Sequence, residues 1–249
     1  MSQPVVALVL AAGLGLRYGG PTPKPALKLT GRALIAMSVE AMAAGGCTHA
    51  VVVTNPAGGQ HYFKAALASS PIPVFMTPGG TTRQGSALKG LQFIRDEPSL
   101  AKTKIVLIHD AVRPMVPAHV VHSVIQAVRA GASAVTPAVA VTDSIRLRNG
   151  DHSTEPIDRS KLCAIQTPQG FPLDVILAAH EAMAESPAEF TDDVSCAERA
   201  GHQVQVVEGS RLAMKITEPA DLTIARALWK VRRTIGHHHG RRFFRRLVG

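Results

Sequence analysis

The run Val5-Val6-Ala7-Leu8-Val9-Leu10-Ala11-Ala12, followed at once by Gly13-Leu14-Gly15-Leu16-Arg17 and then by Pro23-Lys24-Pro25, constrains this chain more than any other stretch. An uninterrupted apolar run of this length, with no polar alternation, is too short to span a membrane and reads as a strand buried on both faces, the pattern of a parallel sheet. Such a strand needs helices on both sides. The glycines that follow let backbone amides approach an anion closely, and Arg17 and Lys24 supply charge that amides lack. The junction suits a nucleoside triphosphate; the plainer reading is a tight strand-to-loop turn.

Two phosphate-binding patterns are excluded. No Gly-Lys-Ser/Thr follows, so this is not a Walker loop. Tyr18 stands at the third glycine position of a dinucleotide fingerprint, and the second strand candidate ends in Asn55 rather than in the acid that would hold a ribose.

Further strands are predicted at 50–54, 74–76, 105–109 and 134–137, separated by helical patterns at 33–44, 60–68, 82–94 and 118–130. This β-α-β-α order predicts an α/β fold, a single Rossmann-like three-layer domain with a mostly parallel sheet and ligands at the carboxyl ends of its strands. The rhythm then changes. Residues 143–151 alternate polar and apolar side chains into Asn149-Gly150, which favours the type I′ turn of a two-residue hairpin. A protruding β-hairpin arm at about 144–156 is expected, either packed on a second subunit, since an isolated hairpin is marginal in water, or lying on the surface. A short strand near 164–166, helices near 173–185 and 193–200, a strand at 204–208 and a last helix from Ala220 to about Thr234 complete the domain, 1–236.

The formal net charge of +9 is concentrated at one end. From Arg226 onward there are eight Lys/Arg and no acid, which leaves 19 of the 27 basic residues against all 18 acids over residues 1–225. A nearly neutral body gives no nucleic-acid signature. Residues 237–249 form a basic tail with interleaved aromatics, expected to be solvated and mobile. Its three consecutive histidines have no nearby Cys or acid to complete a metal site. Cys47, Cys163 and Cys196 are too scattered for a disulfide framework, which fits a reducing cytoplasm, and no signal sequence or membrane span is read.

Several loops carry chemistry. Gly79-Gly80-Thr81-Thr82-Arg83-Gln84-Gly85-Ser86 offers amides, hydroxyls and a cation, or simply a capped helix start. His109-Asp110-Ala111-Val112-Arg113-Pro114 ends a strand with an acid and an arginine three apart, or a local ion pair. Lys215 interrupts the apolar strand pattern Ala213-Met214-Lys215-Ile216, where a lysine is costly unless it meets solvent or an anion. The anion is the reading preferred here.

Taken in order, Leu10-Ala11-Ala12-Gly13-x-Gly15-x-Arg17, Pro23-Lys24, Gly79-Gly80-x-x-Arg83-x-x-Ser86, His109-Asp110-Ala111-x-Arg113-Pro114, Asp143-Ser144, Asp158-Arg159, Thr167-Pro168-Gln169 and Lys215 resemble the 2-C-methyl-D-erythritol 4-phosphate cytidylyltransferases, of the sugar-nucleotidyltransferase fold. The resemblance covers about residues 4–230. It implies that Ala11, Ala12, Gly80 and Ser86 surround the cytosine, with Gly13, Gly15, Arg83 and Ala111 also on the nucleotide. It implies that Arg17 and Lys24 hold the triphosphate, and that Asp110, Arg113, Ser144, Arg159, Thr167 and Lys215 serve the methylerythritol phosphate or the reacting phosphates. It further implies a homodimer through the arm, so that Ser144 and Arg159 serve the partner's site. The chain departs from the family pattern in having Ser144 for threonine, no acid in the 80–82 stretch, and Pro25 for glutamine.

The implied reaction needs no nucleophilic side chain. A phosphomonoester is mostly a dianion at neutral pH and can attack the α-phosphorus of CTP, so the obstacle is repulsion between anions. Positioning and neutralisation by Arg17, Lys24, Arg159, Lys215 and Mg²⁺ carried by the CTP phosphates are expected to dominate. A cytidylyltransferase for another polyol phosphate, such as ribitol 5-phosphate, and a non-catalytic nucleotide-binding module are the alternatives. A related glycosyltransferase is disfavoured because His109-Asp110-Ala111 replaces an Asp-x-Asp metal motif.

Overall fold

A computed structural model describes residues 3–13, 22–58, 60–150, 153–184 and 190–235 of the chain, with side chains through residue 230. Chain order begins with β1 (Val5–Leu10), β2 (Lys28–Leu29), β3 (Arg32–Ala33), α1 (Leu34–Ala44), β4 (His49–Thr54), α2 (Gln60–Leu67), β5 (Val74–Pro78), α3 (Arg83–Asp96), β6 (Ile105–Asp110), α4 (Ala118–Arg129) and β7 (Ala134–Ala140). It continues with β8 (Ile145–Arg148), β9 (Thr154–Ile157), β10 (Cys163–Ile165), β11 (Gln169–Pro172), α5 (Leu173–Ala182), α6 (Asp193–Arg199), β12 (Val204–Glu208) and α7 (Pro219–Ile235).

The main sheet runs β5, β4, β1, β6, β11, β7, with β10 and β12 also paired to β7. Its β5-β4-β1-β6 part is parallel, as is β12 on β7, while β11 and β10 run antiparallel. Every residue of β1 from Val5 to Val9 is buried, and successive ones serve opposite layers. Val5, Ala7 and Val9 pack with α1, α2 and α4, whereas Val6 and Leu8 pack with α3, α5 and α6. That division is the three-layer arrangement expected of an apolar run with a two-residue repeat. Truncating a fully buried member such as Leu8 or Leu107 to alanine costs about 2–5 kcal/mol.

Strand order reverses at β1, which has β4 on one side and β6 on the other, so the loops leaving these strands diverge and open a crevice. Leu10 and Asp110 are register partners at its floor. A smaller cluster of Leu29, Leu34, Met37, Met115, Ile216, Leu222 and Ala225 fastens α7 and the β2–β3 hairpin beside it.

Three local expectations are corrected. The arm exists as the antiparallel β8–β9 pair, but Arg148 pairs with Thr154, so the connection is five residues long rather than a two-residue Asn-Gly turn. The observed register sets Ile145 opposite Ile157; a two-residue turn would be offset by an odd number and would put the isoleucines on opposite faces. The two-residue turn with positive φ at both positions occurs instead at Thr30-Gly31, between β2 and β3 (φ 49° and 86°). Lys215 does not lie in a strand: a short 3₁₀ turn at Arg211–Ala213 leads into irregular chain. Finally, β11 was not foreseen. Its four residues, Gln-Gly-Phe-Pro, carry no alternation by which to recognise it.

Candidate active site

The crevice wall begins with two loops that touch. Ala11 donates its amide to the carbonyl of Val53 at 2.9 Å, and the Asn55 side chain donates to the Ala12 carbonyl at 3.1 Å. Asn55, which replaces the ribose-binding acid of a dinucleotide fold, thus anchors the first loop. Opposite Ala12 lies Gly79, where a Cβ would stand 2.7 Å from Ser86 Oγ and 3.0 Å from Ala12 Cβ, closer than packing allows. Ser86 Oγ accepts the Gly80 amide at 3.1 Å and donates to the Thr82 carbonyl at 2.8 Å, while Thr82 caps α3 through the Gly85 amide at 2.9 Å. The capped helix start and the shaped loop are one structure. Lys89 Nζ closes it from behind on the Gly79 carbonyl, 3.1 Å away.

On the far side of β1, Asp110 ends β6 with its carboxylate inside a cluster of cations. Oδ2 lies 3.0 Å from Lys215 Nζ and 3.2 Å from Arg113 Nε. Burial opposes ionisation of Asp110, but the fields of Lys215, Arg83 and Arg113 outweigh it and hold the carboxyl well below the usual carboxylate range. Arg113 also donates to the Ala213 carbonyl at 2.8 Å, and the Ile216 amide donates to the Val112 carbonyl at 2.9 Å, so the segment carrying Lys215 is strapped to the end of β6. Lys215 remains 42 % exposed. That resolves the cost of its place in the sequence: it stands at the rim with a carboxylate partner and open solvent.

His109 and Thr167 hold the floor. Because the Arg113 carbonyl can only accept, His109 Nε2 carries the hydrogen and donates to it at 3.2 Å, leaving Nδ1 to accept the Thr167 hydroxyl at 3.0 Å. Thr167 Oγ1 in turn accepts the Asp110 amide at 3.1 Å. Burial lowers the His109 pKa to about 4, and the imidazole is neutral near pH 7.

Arg83, Asp110, Arg113, Thr167 and Lys215 line one cavity of about 100 Å³. Lys24 does not line this cavity; its Nζ donates to the Thr217 carbonyl at 2.9 Å, two residues beyond Lys215. Ala111 is buried beneath the cavity's floor, with its amide on the Leu10 carbonyl at 3.2 Å. Ser144 and Arg159 are not bonded to this cluster among the described contacts; they stand at the base of the arm, where the Arg159 guanidinium donates to the Thr142 carbonyl. Gly13 ends the described part of the first loop, and Gly15 and Arg17 lie outside the described residues, as does the 237–249 tail.

His180 and Asp193 escape sequence reasoning, whereas Gln166 is legible as part of the polar stretch Gln166-Thr167-Pro168-Gln169 but its task is not. Gln166 accepts the Ser210 amide at 3.0 Å and donates to the Ser210 carbonyl at 2.9 Å, which ties the turn before β11 to the segment leading to Lys215. Asp193 pairs with Arg83 at 2.6 Å. The available signal was two acids opening one helix: Asp192 caps α6 through the Ser195 amide at 2.9 Å, so Asp193 is free for another task.

A three-layer α/β sheet with a glycine-lined loop and a cation-rich cavity facing each other across its switch point defines a nucleotidyltransferase. Residues 5–231 match the family model described as IspD: 2-C-methyl-D-erythritol 4-phosphate cytidylyltransferase. The chain belongs to this family. It is 38 % identical over 238 residues to the 2-C-methyl-D-erythritol 4-phosphate cytidylyltransferase of Streptomyces avermitilis, covering 91 % of this chain and 92 % of the relative. It is 40 % identical over 225 residues to that of Geobacillus kaustophilus, covering 89 % and 95 %. Among solved structures, the Thermus thermophilus 2-C-methyl-D-erythritol 4-phosphate cytidylyltransferase superposes with a TM-score of 0.72 at 28 % identity, covering 93 % of this chain and all of the other. The Anaerococcus prevotii 4-diphosphocytidyl-2C-methyl-D-erythritol synthase gives 0.79 at 26 %, covering 92 % and 96 %.

Proposed function

We propose that this chain transfers CMP from CTP to 2-C-methyl-D-erythritol 4-phosphate, forming 4-diphosphocytidyl-2-C-methyl-D-erythritol and pyrophosphate. The observation that carries the reading is the cluster of Arg83, Arg113 and Lys215 around the Asp110 carboxylate, across β1 from the Ala12, Gly80 and Ser86 loops. In this reading the pyrimidine sits between Ala11, Ala12, Gly80 and Ser86, and the phosphates extend over Gly13 toward the cations. A substrate phosphate oxygen forms the new bond to the α-phosphorus while the bond to the β,γ-pyrophosphate breaks in line. No proton is transferred. Lys24, Lys215 and Arg17, with Arg159 from the partner subunit's arm, neutralise the charge that gathers between the two anions.

The CTP phosphates would hold Mg²⁺, which would supply neutralisation of part of the triphosphate charge. Asp110, the carboxylate in the cation cluster, is already engaged by Lys215 and Arg113, which suits an ion held mainly by the CTP phosphates. We further infer a homodimer. Leu147 on the arm is 49 % exposed and Ile165 on β10 is 42 %, both apolar surfaces that a second copy would cover. None of the helices in the described residues is long and apolar enough to cross a membrane, and the free cysteines suit the cytoplasm. The test is pyrophosphate release with CTP, Mg²⁺ and a panel of polyol phosphates. Turnover with methylerythritol 4-phosphate, abolished by EDTA, is the expected result; equal release without any polyol phosphate, or a preference for ribitol 5-phosphate, would refute it.

A further inference from the structure

Arg83 opens α3 at the cavity wall, yet its guanidinium is fixed from outside the cavity. Nη2 donates to Oδ2 of Asp193 at 2.6 Å, and the second carboxylate oxygen, Oδ1, accepts from His180 Nε2 at 3.2 Å. Both partners are sealed from solvent, Asp193 at 0 % and His180 at 1 % side-chain exposure. The amides of Asp193 and Val194 both donate to Gln169 Oε1, at 2.9 and 3.0 Å, so the start of α6 is pinned to β11 just beyond Thr167. The carboxylate therefore stands on a frame built from α5, α6 and β11, behind the site.

This is an expensive arrangement for packing alone. A buried carboxylate is stable only when paired, and hydrophobic side chains of similar volume would hold three elements together without the desolvation cost. His180 adds to the expense: its Nε2 must carry the hydrogen to meet a carboxylate, and its Nδ1 is buried with no hydrogen-bond partner. What the pair achieves is directional. An arginine side chain has many rotamers, and a guanidinium already fixed on one side loses little freedom when its remaining donors meet a planar or tetrahedral anion. The field of Arg83 also reaches Asp110, so its orientation bears on the whole cation cluster.

We propose that Asp193 and His180 are positioning residues, which hold the Arg83 guanidinium in one orientation toward phosphate oxygens bound in the cavity. This rests on the reading of the cavity as the site where two phosphorylated substrates meet. Neither residue touches substrate; both act through Arg83.

The discriminating experiment is a double-mutant cycle on the full-length enzyme, read as kcat/KM for pyrophosphate release and as thermal midpoint. Asp193→Asn is expected to lower kcat/KM at least tenfold and His180→Gln at least threefold. In an Arg83→Met background each is expected to change kcat/KM by less than twofold, because the residue they position is gone. The thermal midpoint should behave differently: Asp193→Asn should raise it in the Arg83→Met background, where it removes a buried charge left without its guanidinium partner. Losses that multiply in the two backgrounds, or an Asp193→Asn enzyme with wild-type kcat/KM, overturn the proposal and leave a purely structural pair. If Asp193→Asn does not fold, His180→Gln carries the cycle, since it strands no charge; if Arg83→Met does not fold, Arg83→Gln takes its place. Should the wild type release no pyrophosphate with any polyol phosphate, the functional reading fails instead, and the cycle is read as CTP affinity by calorimetry, where the same loss of effect without Arg83 is required.

Discussion

Lys215 and Arg113 share one oxygen of Asp110: Nζ of the first is 3.0 Å and Nε of the second 3.2 Å from Oδ2. A carboxylate so placed keeps two cations close together before any substrate arrives, and partly screens each from the other. An incoming phosphate meets a cluster already assembled, which lowers the reorganisation that charge neutralisation would otherwise require.

Removing a cation should therefore affect turnover far more than folding. Lys215→Ala and Lys24→Ala are each expected to lower kcat about 100-fold or more, the scale on which oriented charge acts in such sites. Lys215 is 42 % exposed and its loss leaves Arg113 on Asp110, so the thermal midpoint should move little. Arg17→Ala should resemble them. Unchanged stability with less than about threefold loss in kcat would make these cations bystanders.

The floor of the site predicts two separate acid transitions. The His109 pKa is lowered from 6.5 to about 4 by burial, so between those values the unfolded chain binds the proton that the folded one refuses. Stability then rises with pH through that window, by at most about 3 kcal/mol. Asp110 has the opposite chemistry but the same sign: its folded pKa lies below the free value of 3.8, so its contribution is complete above 3.8 and disappears as pH falls further. Urea titrations at a series of pH values should show His109→Gln flattening the limb between pH 6.5 and 4, and Asp110→Asn flattening only the limb below it. A single transition affected equally by both substitutions would contradict the assignment.

The pyrimidine loop offers a steric test. A Cβ at Gly80 would stand 2.8 Å from the Gly85 backbone carbonyl carbon, and backbone cannot swing away as a side chain can. Gly80→Ala must therefore displace the start of α3, with Ser86 and Arg83 on it. The expected outcome is a CTP KM raised at least tenfold together with a lowered thermal midpoint. Ser86→Ala is the control: it removes the Gly80 contact without a clash, so it should raise KM with a smaller stability cost, of about 1 kcal/mol. Equal KM values for both variants and the wild type would remove this loop from nucleotide binding.

Legibility followed locality. The strand β1 and the Asp110-Arg113 pair are each contiguous in sequence and obey a short-range rule, so they are readable. His180, Asp193 and the task of Gln166 are not, because the contacts Gln166–Ser210, His180–Asp193, Arg83–Asp193 and Asp193–Gln169 join separate elements and no periodicity marks a buried polar contact. Lys215 was recognised as anomalous, but its strand was not real: the chain there is irregular because the Arg113 and Ile216 contacts hold it to the end of β6 rather than to a sheet. The arm's existence followed from its alternation, whereas its turn did not, since register was decided by which apolar residues share a face.

The arm and the tail make the last prediction, because the chain separates them. Ser144 and Arg159 flank the β8–β9 hairpin, whereas residues 237–249 follow α7 and carry no candidate site residue. If the arm packs across a subunit interface, its exposed Leu147 is buried there and the hairpin sets the position of the residues at its two bases. Shortening Ile145 to Pro156 should then reduce both dimer content and cytidylyl transfer, and Leu147→Asp should do the same by placing a charge in that interface. Removing His237 to Gly249 should leave turnover near the wild type and alter only salt-sensitive association, since its charges are screened over about 10 Å at 0.1 M salt. Light scattering at micromolar protein, read beside pyrophosphate release, decides between these outcomes: a monomeric wild type ends the shared-site reading, and loss of turnover on removing the tail would give that segment a role in the reaction.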